Sequence, residues 1–595
     1  MIHCSDWRDL PYREIWAVDT EYYPGLGLAN GGREGDPITP LALVAFELRS
    51  SRVLRLWQDE LGPFPPYRLD ADALIIAYMA TAEFGFHLAM GWGQPARTID
   101  AYIEFRHLTN DARIKAGDRP NGFYSLAGAL RHFGEDEIDL ARKDEMRDRI
   151  MQGPPFTNQE RADILRYCED DARALARLIP RLVPTIPSLP HALYRGQYAW
   201  ALSHEERCGS PIDLAGLDRI RAGWDAIKAD LVTTIDREYD CYEIVYGVPH
   251  FRDEQFLAYT RRQHIPWPTY ADGRLDKRAE TFRDMSRTFP QVANLHELRS
   301  TLAQLRSNKL AVGRDGRNRT LLGPFGTKTG RNAPSNSKFI FGPAKCLRFL
   351  IMPPPGMALI HRDFSQQEVR IAAVKSGDGA LLAACEAGDV YLGIAQQLGF
   401  PESRPGLRTM FKTVVLGIQY GLGHRSLASR AGISLYEAAE ILARLRARFR
   451  IFEEWSTNTA DYAGLRMTMS TAFGWTVQCP PGTSARTIRN WPIQSDGAAI
   501  LHAASILAQR RGIRIVAPIH DAYLAEGPAA DIADISVALD RVMRDASSLV
   551  LRGYELPTSD DGGPIMPNQR YYEERGENMW NTINRLIENL ERKTA

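Results

Sequence analysis

The segment that most constrains the fold is residues 357–370, MALIHRDFSQQEVR, where an apolar run passes into a helical pattern. Residues 357–360 predict the end of a buried strand, and the pattern after Ser365 predicts a helix. Asp363 then lies at a strand-to-turn junction, where rigid backbone can hold an anionic oxygen against a divalent cation, with the main-chain carbonyl of Phe364 as a further ligand. Because a single aspartate in this position is more often a turn or cap residue, the metal interpretation depends on segments farther along the chain.

A second segment, residues 408–421, places two cations and an aromatic residue at a spacing of four. Arg408, Lys412, Leu416 and Tyr420 share one face if the segment is a helix. That face could hold a triphosphate at its basic end and a base at its aromatic end. A solvated basic edge on an amphipathic helix gives the same pattern.

A third segment, residues 514–524, contains two β-prone runs around His520 and Asp521, which predicts a hairpin with Asp521 at its tip. A β-turn aspartate is the plainer interpretation of this segment by itself. Together with Asp363, however, Asp521 could hold two magnesium ions roughly 4 Å apart, one activating an attacking hydroxyl and one bracing a leaving pyrophosphate.

Two further segments carry side chains suited to nucleic acid. Residues 486–499 include Arg486, Asn490 and Gln494, which are residue types that donate to base and sugar edges in a minor groove. In residues 327–331, the glycine-hinged pair Thr327 and Arg331 suits a phosphate backbone.

In this order, the five segments resemble the motifs of the family A DNA polymerases. The resemblance implies that Asp363 is the catalytic aspartate, that Asp521 is the second metal ligand, and that Glu368 excludes ribonucleotides by packing against the sugar C2′ position. It implies two Mg²⁺ ions per active site, replaceable by Mn²⁺, on Asp363, Asp521 and the main chain of Phe364. The implied nucleotide-binding residues are Phe364, Ser365, Gln366, Glu368, Tyr391, Arg408, Lys412, Leu416 and Tyr420; the implied DNA-binding residues are Thr327, Arg331, Arg486, Asn490, Gln494 and His520, the last beside the primer terminus.

The chain departs from the family pattern at three positions. Leu416 replaces the usual aromatic residue of the nucleotide-binding helix, which puts discrimination at the sugar 3′ position in doubt. Ala522 follows His520-Asp521 where many members have glutamate, so a third acidic role is absent or moved. Tyr391 stands where bacterial members place a triphosphate-contacting histidine; it can donate a hydrogen bond but supplies no charge.

A separate acidic cluster is predicted near the N-terminus. Asp19 and Glu21, two apart in a strand pattern, point to one side, and Tyr167 and Asp171 share a helical face one turn apart. The combination resembles the DEDDy 3′→5′ exonuclease domain that precedes the polymerase in this family. The resemblance implies a second two-metal site, in which Tyr167 helps to orient an attacking water.

The fourth carboxylate of this second site is less clear from the sequence. Glu83 occupies the place of the middle motif, where the family usually has aspartate, and we choose it as a catalytic residue and metal ligand beside Asp19, Glu21 and Asp171. Asp100 is its rival. The alternative role of Asp100 is to cap a helix.

Length and composition set the remaining limits. A chain of 595 residues is too long for one core. Lys+Arg and Asp+Glu are equal at 73 each, so positive charge for a polyanion must be local. The seven cysteines are scattered, no apolar run has the length of a membrane span, and residues 1–6 lack a signal-peptide core, which favours the cytoplasm of a bacterial cell or a phage-infected host.

The length predicts a multidomain chain, and the family resemblance implies an α/β and α+β architecture, with an RNase H-like exonuclease followed by a right-hand polymerase. The predicted divisions are exonuclease 1–185, thumb and palm lead-in 186–334, first part of the palm 335–374, fingers 375–471, and second part of the palm with the C-terminal helix 472–595. We expect residues 558–564 to form a surface loop.

The expected activity is DNA-directed DNA synthesis with proofreading, in a replicative and phage-like enzyme. The expected partners are primer-template DNA, deoxynucleoside triphosphates and a single-stranded 3′ end, with no membrane, for a monomer open to replisome partners. A single-subunit RNA polymerase shares the palm chemistry, but Glu368 and the exonuclease residues argue against it. A non-enzymatic clamp is disfavoured by the intact carboxylates at both sites.

Overall fold

The computed structural model describes residues 5–114, 118–135, 140–246, 248–270, 272–304, 309–342, 345–419, 423–560 and 562–594. The chain divides into two compact units. The first unit combines residues 1–209, 321–333 and 358–564, and the second combines residues 210–320, 334–357 and 565–595. The regions predicted as exonuclease and as fingers both lie within the first unit.

The N-terminal part of the first unit is a mixed sheet covered by helices. The strands run in the order β3-β2-β1-β4-β5; β1 pairs antiparallel with β2 and parallel with β4, and β5 pairs parallel with β4. The elements are β1 (Glu14–Pro24), β2 (Ile38–Glu47), β3 (Val53–Trp57), β4 (Ala73–Ala77), α1 (Thr81–Met90), β5 (Thr98–Asp100), α2 (Ala101–Leu108), α3 (Leu126–His132), α4 (Leu140–Gln152), α5 (Asn158–Leu182) and α6 (Leu189–Cys208).

Strand β1 is buried on both faces. Ile15 and Ala17 belong to one apolar cluster and Trp16 and Val18 to another, which explains the nearly continuous apolar sequence before Asp19. Helix α5 packs on β1 and β2 and begins with a capping box, in which Thr157 and Glu160 exchange side-chain and main-chain hydrogen bonds. The strand and the helix predicted for the acidic cluster are therefore confirmed.

The second unit starts with short strand pairs and helices. Strand β6 pairs with β9, and β7 forms a hairpin with β8. Phe256, Trp267 and Phe282 pack within 4.6–5.3 Å between ring centroids in its aromatic core. The elements are β6 (Ser210–Pro211), α7 (Leu214–Ile235), β7 (Tyr242–Val245), β8 (Val248–Phe251), α8 (Asp253–Arg262), α9 (Ala279–Thr288), α10 (Ala293–Gln304) and β9 (Arg317–Asn318).

The chain then returns to the first unit, where a sheet in the order β13-β14-β10-β15 carries a set of helices between its strands. The elements are β10 (Met357–Phe364), α11 (Gln367–Ser376), α12 (Gly379–Glu386), α13 (Val390–Gln397), α14 (Leu407–Gln419), α15 (His424–Ala431), α16 (Leu435–Arg448), α17 (Arg450–Arg466), β11 (Thr468–Ser470), β12 (Thr476–Gln478), α18 (Ala485–Arg510), β13 (Arg514–Ile519), β14 (Ala522–Pro528), α19 (Ile532–Val550) and β15 (Thr558–Ser559). The last helix, α20 (Glu577–Thr594), belongs to the second unit.

Several sequence predictions are confirmed by these elements. Strand β10 ends at Phe364 and α11 begins at Gln367, and β13 and β14 form the predicted hairpin around His520 and Asp521. The expected surface loop 558–564 is partly wrong, because residues 558–559 form β15 and pair with Asp363 and Phe364. No helix in the described part of the chain is long and apolar enough to cross a membrane.

Helix α6 carries a buried glutamate that makes fold stability depend on pH. Glu205 is 4% exposed, and burial raises its pKa from 4.5 to about 8. Between those two pH values the folded chain holds a proton that the unfolded chain has lost, so this residue makes the free energy of unfolding fall as pH rises, until the loss is complete above pH 8.

We therefore expect Glu205→Gln to stabilise the protein at pH 8 by on the order of 1 to 3 kcal/mol and to have little effect near pH 4.5. Chemical denaturation followed by tryptophan fluorescence at several pH values measures this difference. Glu386→Gln, at an exposed position on α12, is the matched control and should show no such trend. A Glu205→Gln variant that loses stability at high pH would contradict the assignment.

Candidate active sites

The four-stranded sheet β13-β14-β10-β15 of the first unit places Asp363 and Asp521 next to each other. Asp363 is the penultimate residue of β10, and Asp521 immediately precedes β14. The main-chain N–H of Phe364 donates to the main-chain carbonyl of Asp521 at 3.2 Å. Because neighbouring strands lie roughly 5 Å apart, the two aspartates are close enough for their carboxylates to share a pair of cations.

A residue close to each aspartate has an unusual backbone conformation. His520, one residue before Asp521, has φ +55°, and Gln366, at the start of α11, has φ +47°. This left-handed region is rarely occupied by residues other than glycine, and such conformations concentrate at functional sites. The hairpin that carries Asp521 and the turn between β10 and α11 therefore contain local backbone strain.

Arg362 anchors the strand that carries Asp363. Its side chain is 9% exposed and donates to Ser536 at 2.7 Å and to Thr558 at 2.8 Å. It also forms ion pairs with Asp540 at 3.2 Å and Asp560 at 3.1 Å. Alternating strand residues point to opposite faces, so this network fixes one face of β10 while Asp363 lies on the other. Sequence reasoning missed this role, because a lone arginine next to an aspartate gives no signal of it.

Glu368 and Arg331 form an ion pair. Arg331 Nη2 lies 3.2 Å from Glu368 Oε1, and both side chains are largely buried. The residue predicted to exclude ribonucleotides is therefore in contact with a residue predicted to bind DNA. Glu368 lies in the first turn of α11, five residues after Asp363.

Helix α14 has the face that the sequence predicts. Leu407, Phe411 and Val414 are buried in an apolar cluster, whereas Arg408 and Lys412 are exposed. A side-chain nitrogen of Arg408 lies 2.6 Å from a carboxylate oxygen of Asp389, the residue that caps α13. Of the other two residues on this predicted face, Tyr420 lies outside the described residues, as does the side chain of Leu416.

Tyr391 lies between helix α14 and the hairpin tip that carries Asp521. It is 6% exposed, and the Arg408 guanidinium carbon lies 5.8 Å from its ring centre. Burial raises the pKa of Tyr391, the Arg408 charge opposes the rise, and the carboxylates of Asp389, Glu368 and Asp521 add to it. The electrostatic influence of these groups on one hydroxyl indicates that α13, α14, α11 and the hairpin tip border a common region.

Residues 327–331 form a tight turn held from three directions. The N–H of Thr327 donates to the carbonyl of Arg331 at 3.1 Å, and Gly330 has φ +83°. The carbonyl of Lys328 accepts from the side chains of three residues at 2.9–3.0 Å; these are Asn110, Trp475 and Trp491. The turn that carries Thr327 and Arg331 is therefore fixed before any ligand binds.

Helix α18 aligns the second set of predicted DNA-binding residues. Arg486 is exposed, Gln494 is half-buried and Asn490 is 9% exposed, and their spacing of four places them on one side of the helix. Arg486, Asn490 and Arg489 line a cavity of about 480 Å³, whose lining also includes Phe449 and Phe452. Cationic and aromatic walls of this kind suit phosphates and bases.

The N-terminal acidic residues also converge. A carboxylate oxygen of Asp19, one of Glu21 and the Cys168 sulfur lie within 4.8 Å of one another. Burial and the charge of Asp171 raise the pKa of Asp19 to about 8. Burial and the charges of Asp19 and Asp171 raise the pKa of Glu21 well above its usual range. Like charges crowd this site, which is the arrangement that a bound cation relieves.

Lys143 of α4 partly offsets this excess of negative charge. Its ammonium group forms an ion pair with Asp171 and lies 5.7 Å from the ring centre of Tyr167. The carboxylates of Asp171, Asp19 and Glu21 raise the pKa of Lys143 against the opposing effect of burial. Nothing in the sequence distinguished this lysine from its charged neighbours, since the contact depends on how α4 packs against α5.

The structure separates the two candidates for the fourth carboxylate. Asp100 caps α2 and accepts four main-chain hydrogen bonds, from Met79, Ala80, Tyr102 and Ile103, at 2.9–3.2 Å. Glu83 is 5% exposed, and its Oε2 accepts no hydrogen bond. Burial and the charge of Asp19 raise the pKa of Glu83 well above its usual range. The geometry thus gives Asp100 a structural role and leaves Glu83 available as a ligand.

Comparisons with known proteins relate this chain to DNA polymerases. The family model "DNA polymerase family A" matches residues 275–556. The chain is similar to DNA polymerase I of Chloroflexus aurantiacus, with 27% identity over 310 residues that cover 47% of this chain and 32% of that protein. It is also similar to the DNA polymerase of Mycobacterium phage L5, with 24% identity over 404 residues and 66% of each chain covered. The chain spans about a third of the length of the bacterial relatives it matches.

A solved structure has the same fold. It is the POL domain of Pol1 from M. smegmatis, in complex with DNA primer-template and dNTP. The alignment has a TM-score of 0.70, covers 96% of both chains and shows 17% sequence identity. At this identity the match supports the architecture and carries no residue roles.

Proposed function

Because the chain carries a DNA polymerase family A domain, we propose that it extends a DNA primer with deoxynucleoside triphosphates on a DNA template and removes misincorporated 3′ ends in its N-terminal region. The single observation that supports synthesis best is the main-chain hydrogen bond between Phe364 and Asp521. It brings two carboxylates that are far apart in the sequence to the ends of two neighbouring strands. Right-hand polymerase and RNase H-like exonuclease are the corresponding fold assignments for the two regions.

In the proposed synthesis, residues of this chain bind the triphosphate, orient the primer-template and exclude ribonucleotides. Arg408 and Lys412, exposed on α14, bind the triphosphate, and Glu368 closes the space beside the sugar C2′ position. The primer 3′-hydroxyl attacks the α-phosphate; the new O–P bond forms as the bond to the pyrophosphate breaks. Arg331, Thr327, Arg486, Asn490 and Gln494 hold the primer-template, and His520 lies beside the primer end.

The residues present fit divalent cations at both sites. Asp363, Asp521 and the carbonyl of Phe364 supply hard oxygen ligands of the kind that Mg²⁺ or Mn²⁺ prefers. In the N-terminal site, Oδ2 of Asp19, Oε2 of Glu83 and Oδ1 of Asp171 are buried and accept no hydrogen bond. When bound, the cations would lower the pKa of the attacking hydroxyl or water and neutralise the developing phosphate charge.

In the proposed exonuclease reaction, water attacks the terminal phosphodiester of a single-stranded 3′ end. Asp19, Glu21, Glu83 and Asp171 would hold the cations, and Tyr167 orients the water. Tyr167 is buried next to Asp171 on α5, so both residues turn toward β1 together. The bond to the leaving 3′-oxygen breaks and one nucleoside monophosphate is released.

One gel assay tests the proposed function. A labelled primer-template is incubated with Mg²⁺ and deoxynucleotides, and a labelled single strand with Mg²⁺ alone; the full chain should lengthen the first and shorten the second. Extension with ribonucleotides alone would indicate an RNA polymerase instead. Binding of the primer-template with neither reaction would indicate a non-enzymatic clamp.

The Glu368 assignment predicts a change in sugar selectivity. Glu368→Ala removes the carboxylate that closes the C2′ space and frees Arg331 from its ion pair. We expect ribonucleotide incorporation relative to deoxynucleotide incorporation to rise on the order of 100-fold, measured as the ratio of single-nucleotide kcat/KM values. Glu386→Ala, at an exposed glutamate of α12, should leave the ratio unchanged, and an unchanged ratio in Glu368→Ala would contradict this role.

A further inference from the structure

Cys168 brings a sulfur atom to the N-terminal carboxylate site. It lies between Tyr167 and Asp171 on α5, and its Sγ is within 4.8 Å of carboxylate oxygens of both Asp19 and Glu21. The thiol is fully buried and donates to the main-chain carbonyl of Asp19 at 3.3 Å. This contact holds the sulfur on the β1 side of the helix, beside the carboxylates.

We propose that Cys168, Asp19 and Glu21 form a mixed sulfur–oxygen site that takes a thiophilic divalent cation, Zn²⁺ or Cd²⁺. Sulfur binds zinc at about 2.3 Å and carboxylate oxygen at about 2.0–2.2 Å, so a sulfur and an oxygen donor in a tetrahedral site lie roughly 3.6 Å apart. The three donor atoms lie within 4.8 Å of one another, so side-chain movements of at most roughly 1.2 Å bring them to tetrahedral spacing. The S–H proton leaves to solvent when the sulfur binds the cation.

Glu83 supplies an independent indication of a ligand at this position. Its side chain is 5% exposed, and the charges of Asp19 and Glu21 act on it. Its Oε2 accepts no hydrogen bond, which is costly for a buried carboxylate oxygen unless a cation is available. Zinc prefers four ligands, and the fourth can be a carboxylate oxygen of this kind or a water molecule.

The sulfur also determines which cations compete with Mg²⁺ for this site. Mg²⁺ requires hard oxygen ligands in octahedral geometry, whereas thiolate ligands select zinc and its heavier relatives. A cation on Cys168 occupies Asp19 and Glu21 in a tetrahedral arrangement and displaces the hard cations from them. Zn²⁺ and Cd²⁺ are thus inhibitors of the proposed exonuclease; only this consequence rests on the proposed function, whereas the binding site does not.

The direct test is spectroscopic. The reduced full-length protein is titrated with Cd²⁺, and the ultraviolet cadmium–thiolate charge-transfer band is followed. We expect the wild-type band to disappear in Cys168→Ser, which keeps the size of the side chain, and to need roughly tenfold more Cd²⁺ in Asp19→Asn. Cys208→Ser, at a half-exposed cysteine on α6, is the matched control and should keep the band. A band that persists in Cys168→Ser overturns the proposal.

A second readout links the site to activity. With Mg²⁺ present, half-inhibition of single-strand degradation should need roughly tenfold more Zn²⁺ in Cys168→Ser than in wild type, each compared with its own zinc-free rate. Equal zinc sensitivity would contradict the inhibitory site. Absence of degradation in wild type would instead remove the proposed exonuclease, while the cadmium band would still decide whether Cys168 is a ligand.

Discussion

Asp521→Ala is expected to reduce primer extension on the order of 1,000-fold or more while single-strand degradation continues at the wild-type rate. The carboxylate lies at the hairpin tip, next to the strand that ends in Asp363 and Phe364. Asp521 and Asp363 would be the two anionic ligands of the cations in the proposed synthesis, and charge stabilisation of the kind such cations would supply usually amounts to several kcal/mol. Single-turnover extension with saturating deoxynucleotide measures the chemical step directly.

Two controls separate this effect from a damaged fold. Asp534→Ala changes an exposed acidic residue on α19 of the same unit and should leave extension intact. Binding of primer-template to Asp521→Ala, measured by fluorescence anisotropy, should remain close to wild type, because the residues proposed to bind DNA lie on other segments, the turn 327–331 and helix α18. Extension that survives Asp521→Ala would overturn the assignment of the synthesis site.

Local segments of the fold could be predicted because their signals are periodic. The apolar run before Asp363, the two β-prone runs around Asp521 and the four-residue spacing of Arg408 and Lys412 each determine one element, and the structure contains all three. The same reasoning failed at residues 558–559. Their pairing with β10 depends on tertiary contacts made by Arg362, and no local pattern records them.

The residues of the candidate sites divide in the same way, into those that local spacing predicts and those that depend on tertiary contacts. The sequence predicted Asp19, Glu21 and Asp171, and it favoured Glu83 over its rival Asp100 only because Glu83 occupies the place of the family's middle motif. The physical distinction between them depends on four hydrogen bonds from main-chain groups that only the folded chain brings to Asp100. Lys143 was missed for the same reason. A charge in a helix becomes informative only when the packing of that helix determines which carboxylates it meets.

Asp19→Ala is the reciprocal experiment. It should reduce the rate of single-strand degradation on the order of 1,000-fold or more, while primer extension continues at the wild-type rate. Asp19 supplies a buried carboxylate oxygen that accepts no hydrogen bond, beside Glu21 and Cys168. Quantifying both reactions on one gel gives a ratio of activities that should move in opposite directions in Asp19→Ala and Asp521→Ala. Each variant is thereby the matched control for the other.

Unfolding cannot account for the expected loss in Asp19→Ala. Burial and the Asp171 charge raise the pKa of Asp19 to about 8, so ionising this carboxylate in the folded chain is unfavourable at neutral pH. Because the folded chain must hold this group protonated at a pH where the unfolded chain ionises it, alanine removes a free-energy cost of folding, and the thermal midpoint of the cation-free protein should stay the same or rise. The stabilisation that Mg²⁺ or Mn²⁺ gives the wild-type protein should shrink in the variant. Degradation that persists together with undiminished stabilisation by the cation would show that the N-terminal carboxylates do not form the proposed centre.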